Sequence, residues 1–517
     1  MIEMRRAQRS FGDGLIAEEV SDLREDWMRH ADQVLADEQM VAAVYEALGK
    51  RHPKSRGRLG TPAEVVLRLL ILKHIRNWSY GVLEREVRAN LVYRDFTRVG
   101  GAKTPDAKTM GRWGVALGGD VIKQIHIRMV TVAQSHGLTE GRRMRVDTTV
   151  VETNIHHPTD SSLLGDGVRV LIRTMKKITQ IVGEAGTQLR DRSRSVKLRV
   201  LDIARAARSK AKQGQEKLKR AYGQLLNSTG RVAGQAKRFS QEIAAGVKRS
   251  ADVVQQLTLE GLRDKLDAMV PLVRKVMKQT RARILRGNTR GDGKLVSLFE
   301  PETEIIRKGK AGKPTEFGKM VKLQEAENQI VTDYEVYDRR PNDADLLIAA
   351  VETHHARLGR IPRLVAADAA FYSANNEAAA KAKGVKRVCI PNRSTKSPER
   401  RREQKKRWFR QGQKWRTGCE GRISVVKRRH GLNRCRYKGD AGMKRWVGLG
   451  VIADNLTNIG PWQSSQAHRS APAILRPADP VGHSDGLRFV SRRWSKFMKP
   501  PILRRKVARP CLINPLL

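Results

Sequence analysis

The sequence predicts an α/β protein: a mixed sheet with helices on both faces, preceded by an all-α amino-terminal domain and interrupted by a long helical insertion. Three observations predict it. Residues 142–151 read Arg-Arg-Met-Arg-Val-Asp-Thr-Thr-Val-Val, a strand of β-branched residues around one acid, Asp147. Residues 363–368 form a second apolar run that ends on Asp368 and leads into an Ala-rich helical stretch. Between the two, residues 162–285 keep helical periodicity almost without a break.

Across 517 residues, Lys and Arg number 102 against 53 Asp and Glu, a net charge of +49 spread from Arg5 to Arg509. A surface of that sign gains affinity for a polyanion by releasing its counterions, so nucleic acid is the expected partner. The competing reading is a self-repelling solvated surface or a ribosome-associated protein. Cys389, Cys419, Cys435 and Cys511 form no Cys-x-x-Cys pair, which argues against a disulfide framework or a zinc knuckle. The first residues lack an apolar signal core, and no window approaches the roughly 18 apolar residues of a membrane span. A soluble, cytoplasmic protein of about two to four domains is expected.

In chain order, a helix is expected over residues 22–48. Thr61, Pro62 and Glu64 have the N-cap, N1 and N3 pattern of a capping box, opening a helix apolar on most sides through Leu72. Asn77-Trp78-Ser79 breaks it and caps a second helix through Val87; a third starts near Thr104-Pro105-Asp106 and a fourth covers 120–135. Such short helices with basic faces suit a helix-turn-helix DNA reader, or a bundle that supports its neighbour. Residues 154–160 are a turn-rich link whose adjacent His156 and His157 point to opposite sides. In the helical block, Leu164, Val168, Leu171, Met175, Ile178 and Val182 step by four and three, a helix-packing seam. Further helices are expected over 196–226, 242–257 and 262–285.

A Gly-rich connector (287–300) precedes strands at 303–308, 318–323 and 329–338, a helix through Arg357, and the Asp368 strand. A helix over 375–383 and a strand over 385–391 follow. Residues 393–410 read as a flexible basic loop with Trp408 and Phe409, suited to a nucleic-acid backbone or single strand. Helices are expected over 415–427 and, more hydrophobic, over 443–459. Beyond Gln463 the pattern fades into a loosely ordered tail.

The chemistry gathers on three acids. A lone carboxylate in an apolar strand costs several kcal/mol to desolvate unless a cation or hydrogen bonds compensate, so Asp147 calls for partners. Asp368 is one candidate. The helix over 415–427 supplies another, because Arg416, Glu420, Ser424 and Lys427 recur at i, i+4, i+8 and i+11 and share a face. Two strand-borne aspartates and a helix-borne glutamate can hold two divalent metals across a phosphodiester. Glu152 lies an odd number of residues from Asp147 and faces away if the strand continues.

The order strand-Asp, strands, strand-Asp, helix-Glu resembles that of the ribonuclease H-like fold. Residues 146–154, 365–368 and 415–427 resemble the catalytic blocks of bacterial insertion-sequence DDE transposases, and the likeness runs from about residue 60 to residue 460. Arg416, Glu420 and Lys427 match that family's helix signature; Gln413 stands where a tyrosine often begins it. The resemblance implies that Asp147, Asp368 and Glu420 are the catalytic and metal-binding triad, with Mg²⁺ (or Mn²⁺) as cofactor. It implies that Arg416 and Lys427 grip phosphates, and Arg422, Arg428 and Arg429 are the further DNA contacts expected. It also implies double-stranded DNA, element ends and target, as partner, with self-association on that DNA and a place at the nucleoid. The expected layout is a DNA-binding helical domain (1–138), a catalytic domain (139–160 with 287–460), the insertion (161–286) and a basic tail (461–517). The rival readings are a nuclease of the same fold that does not join strands, a non-catalytic DNA-binding regulator from a decayed element, and a helical scaffold.

Overall fold

A computed structural model describes residues 2–5, 11–49, 60–208, 212–289, 293–307 and 313–470 of the chain. Its centre is a seven-stranded mixed sheet: β1 (Arg143–Thr153), β2 (Glu304–Arg307), β3 (Thr315–Glu325), β4 (Val331–Val336), β5 (Leu364–Ala366), β6 (Arg387–Cys389) and β7 (Arg434–Cys435). β1 lies between an antiparallel half and a parallel half. It pairs antiparallel with β3, Asp147 opposite Leu323, and parallel with β5 through Arg143↔Leu364, Met144↔Val365 and Arg145↔Ala366. β6 extends the parallel side, β4 and β2 run antiparallel to β3, and β7 pairs parallel with the far end of β1. The central strand is covered on both faces, so Met144 through Val151 are all buried.

The strands at 303–308, 318–323 and 329–338 appear as β2, β3 and β4; Lys308 lies outside the described residues. One tight spot fixes the pairing. A Cβ on Gly318 would stand 2.1 Å from the Val151 carbonyl oxygen, so only glycine lets β3 approach β1 there.

Helices coat the sheet. The stretch 22–48 forms two helices, Asp26–Leu35 and Glu38–Gly49, rather than one. The expected capping box at Thr61 does not form. Thr61–Pro62 instead pairs as a short parallel bridge with Ile2–Glu3, and α1 (Ala63–Ile75) starts without a side-chain cap because Glu64 turns to Arg68 (2.9 Å). Ser79 caps the next helix as expected, and Asp106 caps α2 (Ala107–Ser135), which bends at Gly118 (φ 73°) to join two expected helices. α1 is buried nearly all round, and its core continues into Ile330, Leu449, Ile452 and Leu456. The amino-terminal helices therefore share a core with the helix that closes the sheet. Lys73 sits in this joint, its ammonium 4.8–5.0 Å from the ring centres of Tyr80, Tyr437 and Trp446.

The insertion is built from α3 (Asp160–Val182), the helix Ser193–Ala206, α4 (Lys212–Ala244) and α5 (Val253–Thr280). Leu164, Val168, Leu171, Met175 and Ile178 are all buried in its own core. The helix expected at 242–257 is interrupted, because the chain turns at Gly246 (φ 72°) between α4 and α5. Asp160 and Arg283 meet at 3.1 Å where the insertion leaves and rejoins the sheet.

α6 (Leu346–Leu358) covers one sheet face. Within the basic stretch 393–410, residues 393–397 are a loop as expected but the rest is helical: Pro398–Lys405 is one helix, and Arg407 opens α7 (Arg407–Arg429). Arg400 folds it down, donating to Glu377 (3.0 Å), Glu403 (2.9 Å) and the Ile390 carbonyl (2.8 Å). The last helix, α8 (Gly439–Ser470), runs past Gln463, where order was expected to fade; residues 471–517 lie outside the described residues. Among the described residues no helix is long and apolar enough to cross a membrane.

Candidate active site on the sheet

Side-chain alternation along β1 decides where Asp147 points. Met144 and Val146 pack against α6 through Leu346, Leu347 and Val351. On the opposite face, Val151 packs against Val426 of α7, and Arg145 donates to the Trp415 carbonyl of α7 (2.7 Å) while pairing with Glu325 (2.5 Å). Asp147 has the parity of Arg145 and Val151, so it belongs to the α7 face; it is 9 % exposed, and the Thr148 amide donates to its Oδ1 (2.7 Å). The buried Cys419 thiol of α7 is pushed well up by burial, and next by Glu325 and Asp147.

Asp368 follows the same logic on the neighbouring strand. Val365 and Ala367 belong to the α6 side, whereas Ala366 packs with Cys389 and Phe409 on the α7 side. Asp368 shares the parity of Ala366 and is extended (φ −77°, ψ 175°). The last registered pair is Arg145↔Ala366, and each acid lies two residues beyond it. Asp147 and Asp368 thus each lie two residues past the last registered pair of two adjacent parallel strands, Asp368 just beyond the end of β5. Asp368 accepts from the Ala370 amide (3.0 Å), capping a short 3-10 turn. Burial raises its carboxyl above the usual aspartate range and Asp343 adds to this, while the Ala370 amide and Arg416 oppose it.

Above these acids runs α7. Its approach is allowed by Gly412, where a Cβ would meet Cys389 Sγ at 2.6 Å, and Gly418, where one would meet Arg145 Nη1 at 2.3 Å. Gln413, at the place of the signature tyrosine, fixes the helix to β6 by donating to the Cys389 carbonyl (2.7 Å). Arg416, only 15 % exposed, donates to Glu420 (2.9 Å), and its charge also favours the Asp368 carboxylate. Glu420 itself is 57 % exposed. Arg416 therefore acts on both the helix acid and the strand acid.

The five expected phosphate contacts divide. Lys427 and Arg428 line a cavity of about 590 Å³ with Ser424, Arg434 and Arg436, and Arg429 is exposed on the same last turn. Arg422 does not join them. It is 5 % exposed and donates to Asp454 (3.0 Å) and Asn458 (3.1 Å) of α8, so it secures α7 to α8 rather than facing solvent. One acid near the site was not singled out from the sequence. Asp343 accepts from Thr148 Oγ1 (2.8 Å), and only the fold brings its turn beside β1.

Three carboxylates, two on strands and one on the covering helix, are the hard oxygen donors that Mg²⁺ takes, and the chemistry of the set fits that ion. No group of three or more His, Cys, Asp or Glu among the described residues already stands at ligating distance; Glu420 is held by Arg416 instead. His156 lies 3.6 Å from Asp166, while His157 meets the Phe317 ring edge-on, so the two do diverge.

Two families match the chain. Residues 17–114 match a family described as a transposase domain (DUF772), and residues 375–459 match a transposase DDE domain. The second match contains Glu420, Arg416 and all of α7 from Arg407 on; Asp147 and Asp368 fall outside both. No curated protein and no solved structure matches the chain.

Proposed function

We propose that this chain, an insertion-sequence DDE transposase by its two family matches, binds the ends of its element, cleaves phosphodiester bonds and joins the freed 3′-hydroxyls to target DNA. Transposase domains imply DNA as the substrate. What supports the catalytic part is that Asp147 and Asp368 each follow the last registered pair of adjacent parallel strands by two residues, and that Arg416 pairs with Glu420 while its charge also acts on Asp368. The strand order β4-β3-β1-β5-β6, with the first three antiparallel and the last two parallel to β1, supports the ribonuclease H-like reading of the sheet.

Asp147, Asp368 and Glu420 would hold the divalent cations, Mg²⁺ or Mn²⁺. When bound, such a pair lowers the pKa of an attacking water or 3′-hydroxyl and stabilises the departing oxygen. The chain's own residues do the rest. Arg416 holds the Glu420 carboxylate in reserve beside Asp368 and is released toward a phosphate when Glu420 turns to the strand acids. Its planar guanidinium suits two oxygens of one phosphate. Lys427, Arg428 and Arg429 extend the positive track along the helix end, where a DNA backbone leaving the acids would pass.

The test is cleavage and strand transfer on DNA carrying the element's flanks, with Mg²⁺ or Mn²⁺. Asp147→Asn, Asp368→Asn and Glu420→Gln are each expected to lower cleavage by a factor of a thousand or more while leaving DNA affinity within a few-fold. Undiminished cleavage in any of the three would remove that residue from the site. Nicked products without joined ones would favour a nuclease.

A further inference from the structure

The insertion holds a groove that the catalytic reading leaves unused. It encloses about 800 Å³. One wall is α4, on which Asn227, Arg231, Gly234 and Arg238 recur at steps of three and four and share a face. The opposite wall is the segment after α3, carrying Arg190 and Arg192, and Arg281 stands at the end of α5. No acid lines this concavity.

The absence of acids is local. Elsewhere in the insertion cations find carboxylates: Arg169 with Asp166 (2.5 Å), Lys176 with Asp191 (2.6 Å), Lys248 with Glu242 (3.4 Å) and Arg283 with Asp160 (3.1 Å). None of the five groove arginines forms an ion pair among the described residues. Partial desolvation, and then Arg190 and Arg231, disfavour the charge on Arg192. Like charges gathered around a hollow oppose folding and are relieved by a polyanion. The floor is open as well, since a Cβ at Gly234 would meet nothing within 4 Å.

We propose that this groove binds the sugar–phosphate backbone of duplex DNA, as a contact surface separate from the three acids. It rests on DNA being the substrate and adds where a second stretch of it lies. From Asn227 to Arg238 the helix rises about 16 Å, enough to follow roughly four or five phosphates of one strand at 3.4 Å of axial rise each.

The experiment titrates the full chain against a linear duplex by fluorescence anisotropy at several salt concentrations. R190Q/R231Q/R238Q, checked for an unchanged melt, is expected to bind about tenfold or more weakly near 150 mM salt, with a salt slope shallower by roughly two to three. G234E is the second variant. It replaces a helix glycine by a better helix former, so the fold is not weakened, yet it sets a carboxylate on the groove floor. It too is expected to bind duplex more weakly. Unchanged affinity and slope in both variants would overturn the proposal, as would tighter binding of single strands or an RNA hairpin than of the duplex. Cleavage by the wild type with unchanged binding in the variants sinks the groove alone. Weakened binding in the variants with no cleavage by the wild type sinks the catalytic reading alone.

Discussion

Asp368 is an acid held where its charge is disfavoured. Its folded pKa lies above the unfolded one, so the native state binds the proton more tightly and loses stability as pH rises from the ordinary aspartate value through the raised one. Asp368→Asn should therefore raise the melting temperature of the metal-free protein at neutral pH, and that gain should vanish near pH 3, where both states are protonated. A cation between the acids would reverse the sign, releasing protons as it binds. Lys73 runs the other way. Burial, with Arg436 behind it, pulls its ammonium down to about 7, although the three ring faces around it favour the charge. Below pH 7 it is charged in both states; between about 7 and 10.5 the unfolded chain binds the extra proton, so its contribution to stability grows with pH. Lys73→Met should flatten that rise in a series of denaturant melts. Arg416 and Arg422, six residues apart on one helix, should behave as opposites. Arg422→Ala leaves the buried Asp454 without its cation and should cost about 3–5 kcal/mol of stability. Arg416→Ala, whose partner Glu420 is largely exposed, should cost no more than about 1 kcal/mol while lowering cleavage sharply.

Elements differ in how far their sequences announce them. β1 was legible because Thr148, Thr149, Val150 and Val151 are β-branched and consecutive, with Val146 just across Asp147, and a strand buried on both faces reads that way. The α7 face was legible because Arg416, Glu420 and Lys427 repeat at helical spacing. The helix Pro398–Lys405 was hidden by its charge; nothing local says that Arg400 lies against Glu377, Tyr372 and Phe409, which come from other elements. The capping box at Thr61 failed because Thr61–Pro62 finds a strand partner 59 residues upstream. Asp343 carried no signal at all, since its approach to Thr148 spans 195 residues. One glycine marks the element scale most sharply. At Gly318 the obstructing atom is a backbone oxygen, which cannot rotate away, so Gly318→Ala should destabilise by about 1–3 kcal/mol and shift the β1–β3 pairing, visible as faster amide exchange along both strands.

For the whole molecule, charge and connection matter more than any contact. The +49 net charge should make every DNA affinity fall steeply with salt, irrespective of sequence. The insertion has its own core, closed at its base by Asp160 and Arg283, with Leu295 and Leu298 packed on it. Replacing residues 162–282 by a short Gly/Ser linker, with Leu295 and Leu298 changed to Ser, should leave the sheet and its helices melting in one cooperative step. A broad melt would make the insertion part of a single folding unit.

β1 has a second duty. The strand that carries Asp147 ends at Thr153, and only residues 154–159 separate it from the first helix of the insertion. Acid and arm are consecutive on one short length of chain. Lengthening residues 154–159 by a few Gly/Ser residues is therefore the change that would uncouple the position of the arm from that of the acid, with the Asp160–Arg283 pair left to hold the base of the insertion.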